Sequence, residues 1–349
     1  MPEVSVLIPV YNGEAHVEVA LETVLAQRGP SFEAVVVDDG STDSTPAILE
    51  RFGRYPRVRV LTVPHDGIAS ALRSGMQACS GEFICRMDSD DLMPPDRIAV
   101  QTDYLRSHPE IGLVGGQVRH EPAEGGAGFP AGLDGMARYV DWMNSQRTHD
   151  EMFEAIWTDS PLAHPSVMFR KPLAEQAGGY RMVPWAEDTD LWYRLFLAGA
   201  GFAKVDAETV VWRDRPDRLT RTDPDHYGQE RLAVMKAHYL PRFFRRARQG
   251  GVTLLGAGPF GRRIARALRS EGVAVNRFVD VDPAKIGRTR SGVPVVPVTE
   301  LGAGDSDLLV AAVGQRGARQ EIVAALGNRG IPYPEPGRPR EETRVVFCH

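Results

Sequence analysis

The residues of this 349-residue sequence best suited to chemistry stand at Asp88-Ser89-Asp90-Asp91. They follow Glu82-Phe-Ile-Cys-Arg-Met87, an apolar and β-forming run that reads as a short buried strand. Pro94-Pro95 prevents the strand from continuing. Carboxylates crowded at a strand end repel one another unless a cation lies between them. A hard divalent ion such as Mg²⁺ or Mn²⁺, which takes oxygen ligands and binds phosphates, is the natural partner of Asp90 and Asp88. A solvated acidic turn is the competing reading. Two further acidic pairs share the sequence. Asp38-Asp39 closes the run Phe32-Glu-Ala-Val-Val-Val37, and Glu187-Asp188 opens a helix whose apolar residues are Leu191, Trp192, Leu195 and Phe196.

Positioning these groups requires a frame, and the first hundred residues supply one. Val4-Ser-Val-Leu-Ile-Pro-Val-Tyr-Asn-Gly13 is a near-continuous apolar run closed by a turn, as expected of a strand buried on both faces. Helical spacing follows over Ala15 to Gln27. After the Asp38-Asp39 strand, Ser44 or Thr45 caps a helix with Pro46 at its first position. Val58 to Val63 is a third strand, and Ile68 to Ala78 a helix leading to the acidic strand. This alternation predicts an α/β fold with a mostly parallel sheet flanked by helices, in which ligands bind beyond the carboxyl ends of the strands. Tyr11, Asp38, Asp39, Asp88 and Asp90 all fall at such ends.

The motifs Pro9-Val-Tyr-Asn-Gly13, Val37-Asp-Asp-Gly-Ser-Thr-Asp43, Gly81-Glu-Phe-Ile84 and Met87-Asp-Ser-Asp-Asp91 resemble, in order, those of the family 2 glycosyltransferases of GT-A fold. The likeness continues through His164-Pro-Ser-Val-Met-Phe-Arg170, Gly178-Gly-Tyr180 and Trp185-Ala-Glu-Asp-Thr-Asp-Leu-Trp-Tyr-Arg-Leu195, and covers roughly residues 3 to 240. The resemblance implies a metal-dependent, inverting transfer of a sugar from a nucleotide-diphosphate donor, with UDP the default carrier. It implies that Tyr11 and the backbone after Pro9 flank the base, and that Asp39 accepts a hydrogen bond from the base edge. Asp38 assists or braces the loop. Asp88, with Ser89 beside it, touches the ribose or the metal through water, and Asp90 ligates the metal. Glu187-Asp188 supplies the catalytic base, Asp188 being favoured. That role suits a displacement at the anomeric carbon, which needs a carboxylate to take the acceptor proton; the competing role is plain helix capping.

Other positions carry two readings each. Arg73 stands where many members have Asn, and reaches the diphosphate or faces solvent. Asp66 contacts the base or makes an Asx turn. His164 is a packed structural histidine or an acceptor-side or phosphate contact. Among Trp142, Trp157, Trp185 and Trp192, Trp185 is the one expected to stack on sugar, because it adjoins Glu187; core burial is the alternative for all four. Arg213 or Arg221 clamps the diphosphate or belongs to a solvated loop. The stretch from His120 to Phe129 reads as a loop over the acceptor side.

At Gly251 the pattern restarts. Val252-Thr-Leu-Leu-Gly256-Ala-Gly258-Pro-Phe-Gly261 is a strand running into GxGxxG and a helix, and Phe278-Val-Asp280-Val-Asp282 is a second strand ending in acids. This part resembles small Rossmann-type nucleotide-binding domains, also through Asp282-Pro-Ala-Lys-Ile-Gly287 and Gly292-Val-Pro-Val295. The expected domains are therefore 1–249 and 250–349, with Gly256, Gly258, Gly261 and Asp280 holding an unspecified nucleotide or dinucleotide. The tail Thr343-Arg-Val-Val-Phe347 is expected to add an edge strand, here or on a partner chain.

Composition narrows the partners. Residues 250–349 carry 14 Lys and Arg against 10 Asp and Glu, net +4, whereas residues 1–249 carry 27 against 36, net −9. An acidic main domain argues against nucleic acid. The expected partners are the nucleotide-sugar donor and a glycan, lipid-linked or small-molecule acceptor, with homo-oligomerisation left open. Three cysteines without a CxxC pair indicate neither a disulfide framework nor zinc. No apolar run approaches a membrane span and no signal peptide is evident, so a cytoplasmic protein is expected. Phe243, Phe244, Arg245, Arg246 and Arg248 suggest peripheral membrane contact or, alternatively, a packed linker helix. The alternative function is a nucleotide-sensing or assembly protein with an inactive first domain.

Overall fold

The computed structural model describes the chain except residues 122–133, 216–217, 316, 332, 334–339 and 349, so most of the expected acceptor-side loop lies outside the described residues. The chain divides into two compact units. One comprises residues 1–153, 160–183 and 187–218; the other comprises 154–159, 184–186 and 219–349.

In the first unit the strands are β1 (Val4–Val10), β2 (Phe32–Asp38), β3 (Val58–Thr62), β4 (Phe83–Arg86), β5 (Ile111–Glu121), β6 (Met168–Arg170) and β7 (Gly201–Arg213). Their order in the sheet is β3-β2-β1-β4-β6-β5-β7. Every pairing is parallel except that β6 runs antiparallel to both β4 and β5. All seven residues of β1 are buried, which explains its unbroken apolar character. Register fixes what emerges at the carboxyl edge. Val10 pairs with Asp38, so Tyr11 and Asp39 leave the sheet side by side, and Leu7 pairs with Arg86, so residues 87–91 leave at the same edge.

Helix Ile68–Ala78 lies tightly on this sheet. A Cβ at Gly75 would come within 2.3 Å of Leu7 Cδ1 and 2.7 Å of Val37 Cγ2, so any larger residue would force those side chains or the helix to shift. Arg97, 1% exposed in helix Arg97–Ser107, donates to the carbonyls of Arg86 (2.7 Å), Pro165 (2.6 Å) and Val167 (3.1 Å) and to Gln101 Oε1 (2.9 Å). A buried guanidinium is tolerable only when so satisfied. It ties the end of β4 to the segment ahead of β6.

The second unit holds β8 (Val252–Leu255), β9 (Val275–Asp280), β10 (Thr289–Arg290), β11 (Val293–Pro297), β12 (Leu308–Ala311) and β13 (Val345–Phe347), in the order β10-β11-β9-β8-β12-β13. Only β10 and β11 pair antiparallel. The tail strand β13 pairs with β12 of its own chain. Leu255, Val279, Leu309, Leu326, Val345 and Phe347 form the core here. Helix Gln229–Phe243 belongs to this unit, linked to helix Pro259–Ser270 by Arg263 with Gln229 and Arg266 with Glu230. Phe243 and Phe244 are buried against Trp157, so their rings are not presented outward.

Candidate active site

The loops after β1 and β2 hold each other. Asn12 N–H donates to Ser41 Oγ (2.9 Å), and Thr42 N–H donates back to Asn12 Oδ1 (2.8 Å). Gly13 N–H donates to Thr45 Oγ1 (2.8 Å), Glu14 N–H to Asp43 Oδ2 (3.1 Å), and Ser44 N–H to Glu14 Oε2 (2.8 Å). Asp38, 1% exposed, accepts the Ser41 N–H at 3.0 Å, which is the loop-bracing geometry. Asp39 is 3% exposed. It accepts the N–H groups of Asp66 (3.1 Å) and Gly67 (3.0 Å) and contacts His65 Nδ1 at 2.8 Å. Gly40 makes this possible: its φ is +71°, and a Cβ there would lie 2.9 Å from the His65 backbone nitrogen. Tyr11, half exposed, stacks on His65 with ring centroids 3.9 Å apart and 14° between planes.

At the end of β4, one carboxylate oxygen from each of Asp88, Asp90 and Asp91 lies within 4.8 Å of the others. Arg86, 1% exposed, forms a salt bridge to Asp88. Arg215 Nη2 lies 3.0 Å from Asp90 Oδ2, and Arg213 Nε donates to the Asp90 carbonyl at 2.6 Å. Arg213 N–H donates to Asp91 Oδ1 at 3.0 Å, next to a two-way backbone bridge between Leu92 and Val211. Asp91 Oδ2 is buried and has no hydrogen-bond partner among the described residues. Burial first, and then Asp90 and Asp88, push the Asp91 carboxyl well above the ordinary carboxylate range; burial and Asp88 also raise Asp90. The cluster's all-oxygen donor set suits a hard divalent cation.

Helix Glu187–Leu197 starts with Glu187 buried and Asp188 half-buried. Asp188 Oδ1 accepts from Thr189 N–H (2.5 Å) and Thr189 Oγ1 (3.1 Å). Burial nevertheless raises its pKa, against these hydrogen bonds and the nearby Arg86 charge. His164 Nδ1 lies 3.6 Å from Glu187 Oε1, and its Nε2 is 2.8 Å from the Tyr180 hydroxyl. Burial and Arg86 hold the His164 pKa well below its ordinary value, so the ring is neutral. Arg86 thus acts electrostatically on both Asp88 and Asp188. Neither it nor Arg215 stood out in the sequence, because only the strand register and the Leu92–Val211 bridge bring them to the acids.

The remaining expected residues are distributed as follows. Pro9 is buried inside β1, Asp66 is exposed beside the Asp39 contacts, Arg73 is exposed on its helix, and Ser89 is half-buried within the acidic turn. Trp157 and Trp192 are 1% and 0% exposed, so they are core residues and offer no sugar platform. Trp185 belongs to the second unit and packs on His238, with centroids 5.4 Å apart. Arg221 lies in the second unit's short helix Leu219–Thr222. In the glycine loop after β8, a Cβ at Gly261 would sit 2.1 Å from the Gly256 carbonyl oxygen, whereas one at Gly258 would meet open space. Asp280 accepts from Ala257 N–H and Asp282 N–H, each at 2.9 Å, and from Lys285 Nζ at 3.2 Å. Partial burial opposes its charge, but these bonds prevail and keep its pKa below the ordinary value.

Residues 5–177 match the family model described as glycosyl transferase family 2. The amylovoran biosynthesis glycosyltransferase AmsE of Erwinia amylovora is 30% identical over 221 residues, which cover 62% of this chain and 78% of that protein. This chain belongs to glycosyl transferase family 2. Two further proteins that it resembles are longer. An uncharacterized glycosyltransferase of Rickettsia bellii is 26% identical over 69% of this chain but only 34% of its own length. The chondroitin synthase of Escherichia coli is 36% identical over 33% of this chain and 17% of its own length. The chain therefore spans about a third or less of these two relatives. Among solved structures, S. aureus TarS residues 1–349, in complex with UDP-GlcNAc, superposes with a TM-score of 0.53 at 19% identity, covering 77% of this chain and 74% of that one. The fold of this family 2 member is thus α/β, mostly parallel and flanked by helices, with a GT-A-like neighbour.

Proposed function

We propose that this chain transfers a glycosyl group from a nucleoside diphosphate sugar, with UDP as carrier, to an acceptor hydroxyl with inversion at the anomeric carbon. The observation that carries this is one carboxyl edge bearing the Tyr11–Asp39 loops and the Asp88-Asp90-Asp91 cluster, together with a raised-pKa carboxyl at Asp188 in the same unit. Asp90, Asp88 and Asp91 would hold Mg²⁺ or Mn²⁺, and the unpartnered Asp91 oxygen supports that fit. Such an ion neutralises the charge that develops on the departing diphosphate. Asp188 accepts the acceptor hydroxyl's proton as the new C–O bond forms and the bond to the diphosphate breaks. Arg86 keeps a positive charge beside Asp88 and Asp188, favouring the ionised base. TarS was solved with UDP-GlcNAc and AmsE is named for amylovoran biosynthesis, and a glycan or lipid-linked glycan is the acceptor class we favour.

In the second unit, we read the parallel sheet and the Gly256–Gly261 loop as a Rossmann-type nucleotide-binding domain following the transferase domain. Asp280 serves there to shape the loop. The test of the main reading is calorimetric titration of the full chain with UDP, with and without Mn²⁺, for wild type and Asp90→Ala. Binding that requires Mn²⁺ and weakens at least about tenfold in the variant is expected, as for loss of a direct ligand. Equal binding by both proteins would overturn the metal assignment.

A further inference from the structure

We infer that Arg215 makes the acidic cluster selective for a divalent ion already chelated by a nucleoside diphosphate, and disfavours the bare ion. This rests on the metal-dependent donor reading above. The carboxylates of Asp88, Asp90 and Asp91 are matched by three guanidiniums. Arg86 pairs with Asp88, and Arg215 Nη2 lies 3.0 Å from Asp90 Oδ2. Arg213 donates through Nε to the Asp90 carbonyl at 2.6 Å and through its backbone N–H to Asp91 Oδ1 at 3.0 Å. Arg218, the next cation along the chain, has its own acid, Asp214, at 3.9 Å.

Formally these acids and guanidiniums cancel, so Asp90 offers a bare dication no net negative charge. Arg215 also holds one of the two Asp90 carboxylate oxygens and repels a second cation there. The Asp90 and Arg215 side chains are 15% and 27% exposed, so solvent screens that repulsion only in part. A chelated ion differs in two respects. Its complex with a nucleoside diphosphate is net negative, which offsets the guanidiniums and does not add to them. The complex also brings phosphate oxygens, which accept from arginine N–H groups. Arg213 Nη2 is buried and has no hydrogen-bond partner among the described residues. A bare ion cannot satisfy that donor, whereas a phosphate oxygen can. Neutralising Arg215 therefore lifts the penalty on the bare ion and takes a favourable charge away from the chelated one.

Two measurements on the full chain separate the two forms of the ion. Titration followed by the electron paramagnetic resonance of free Mn²⁺ reports the bare ion, and calorimetry with UDP in excess Mn²⁺ reports the chelated one. Arg215→Gln is expected to bind bare Mn²⁺ about tenfold more tightly than wild type, the scale of one unit charge removed from a partly screened site. The same variant is expected to bind UDP in Mn²⁺ more weakly than wild type. Arg215→Lys, which keeps the charge, is expected to hold bare Mn²⁺ as wild type does. Asp90→Ala distinguishes the inference from the reading beneath it. If Asp90→Ala binds both forms as wild type does, the metal reading fails and the inference with it. If Asp90→Ala loses the chelated ion while Arg215→Gln binds bare Mn²⁺ no more tightly than wild type, or tightens both forms equally, the inference alone is overturned.

Discussion

The buried carboxylate of Asp91 accepts the backbone N–H of Arg213 at 3.0 Å, joining the end of β4 to the end of β7 across 122 residues of sequence. One oxygen is therefore structural, and the other is buried without a partner among the described residues. These two roles separate on substitution. Asp91→Asn keeps an acceptor for Arg213 and removes a crowded charge, so its unfolding free energy should match or exceed that of wild type while Mn²⁺ affinity falls. Asp91→Ala strands the Arg213 N–H and should cost about 1–3 kcal/mol. Urea denaturation paired with Mn²⁺ calorimetry checks both.

In the proposed mechanism Asp188 sets the acid side of the activity profile. Its pKa is raised by burial, and the base must be ionised to accept a proton. Transfer measured as kcat/KM should therefore rise with pH through an apparent pKa above the ordinary 3.8, and reach a plateau beyond it. Asp188→Asn should bind UDP normally and lose transfer by at least about a hundredfold, the usual scale of general-base loss. A variant with wild-type turnover would remove Asp188 from the mechanism.

Burial gives His164 the opposite sign. Its folded pKa lies well below 6.5, so below that pH the unfolded chain binds a proton that the folded chain refuses. Stability should fall as pH drops below about 6.5, the ordinary histidine value. His164→Gln should flatten this part of the curve even if it lowers stability overall through loss of the Tyr180 contact. Thermal unfolding between pH 5 and 8, a window chosen to span the roughly 6.5 reference value, gives the comparison.

Gly75→Ala is the simplest probe of the frame. The added methyl carbon would meet Leu7 Cδ1 and Val37 Cγ2 well inside van der Waals contact. Overpacking of this kind should cost about 1–3 kcal/mol despite alanine's better helix propensity. A stabilised variant in chemical denaturation would show that the helix can lift away from β1 and β2.

The strand ends were legible because two local signals coincide at each: a buried β run, and acids that a buried strand interior would exclude. That logic finds Asp38, Asp39, Asp88 and Asp90 without long-range information. It cannot find Arg86 as partner of Asp88, because an arginine inside an apolar strand has no local signature of what it faces. Nor can it reveal that Asp39 is filled by the amides of residues 66 and 67, or that Arg215 meets Asp90; those contacts are made by pairing across the sheet. Tryptophan identity alone likewise does not separate the buried Trp157 and Trp192 from a ligand platform. Sequence continuity places the helix Gln229–Phe243 in residues 1–249, whereas it belongs to the second unit and is tied to helix Pro259–Ser270 as well as packing on Trp157 and Trp185.

The three-residue strand β6 is wedged antiparallel between β4 and β5, and the carbonyls just before it are gripped by Arg97. A strand this short has no spare length over which to absorb an added or missing residue, and a one-residue slip would exchange its two faces. The stretch from His164 to Arg170 is thus a fixed-length gauge between the strand that leads to Asp88 and the helix bearing Asp188. In a library of single-codon insertions and deletions across the gene, this stretch should be among the least tolerant of change in length, while many of its side chains remain open to exchange.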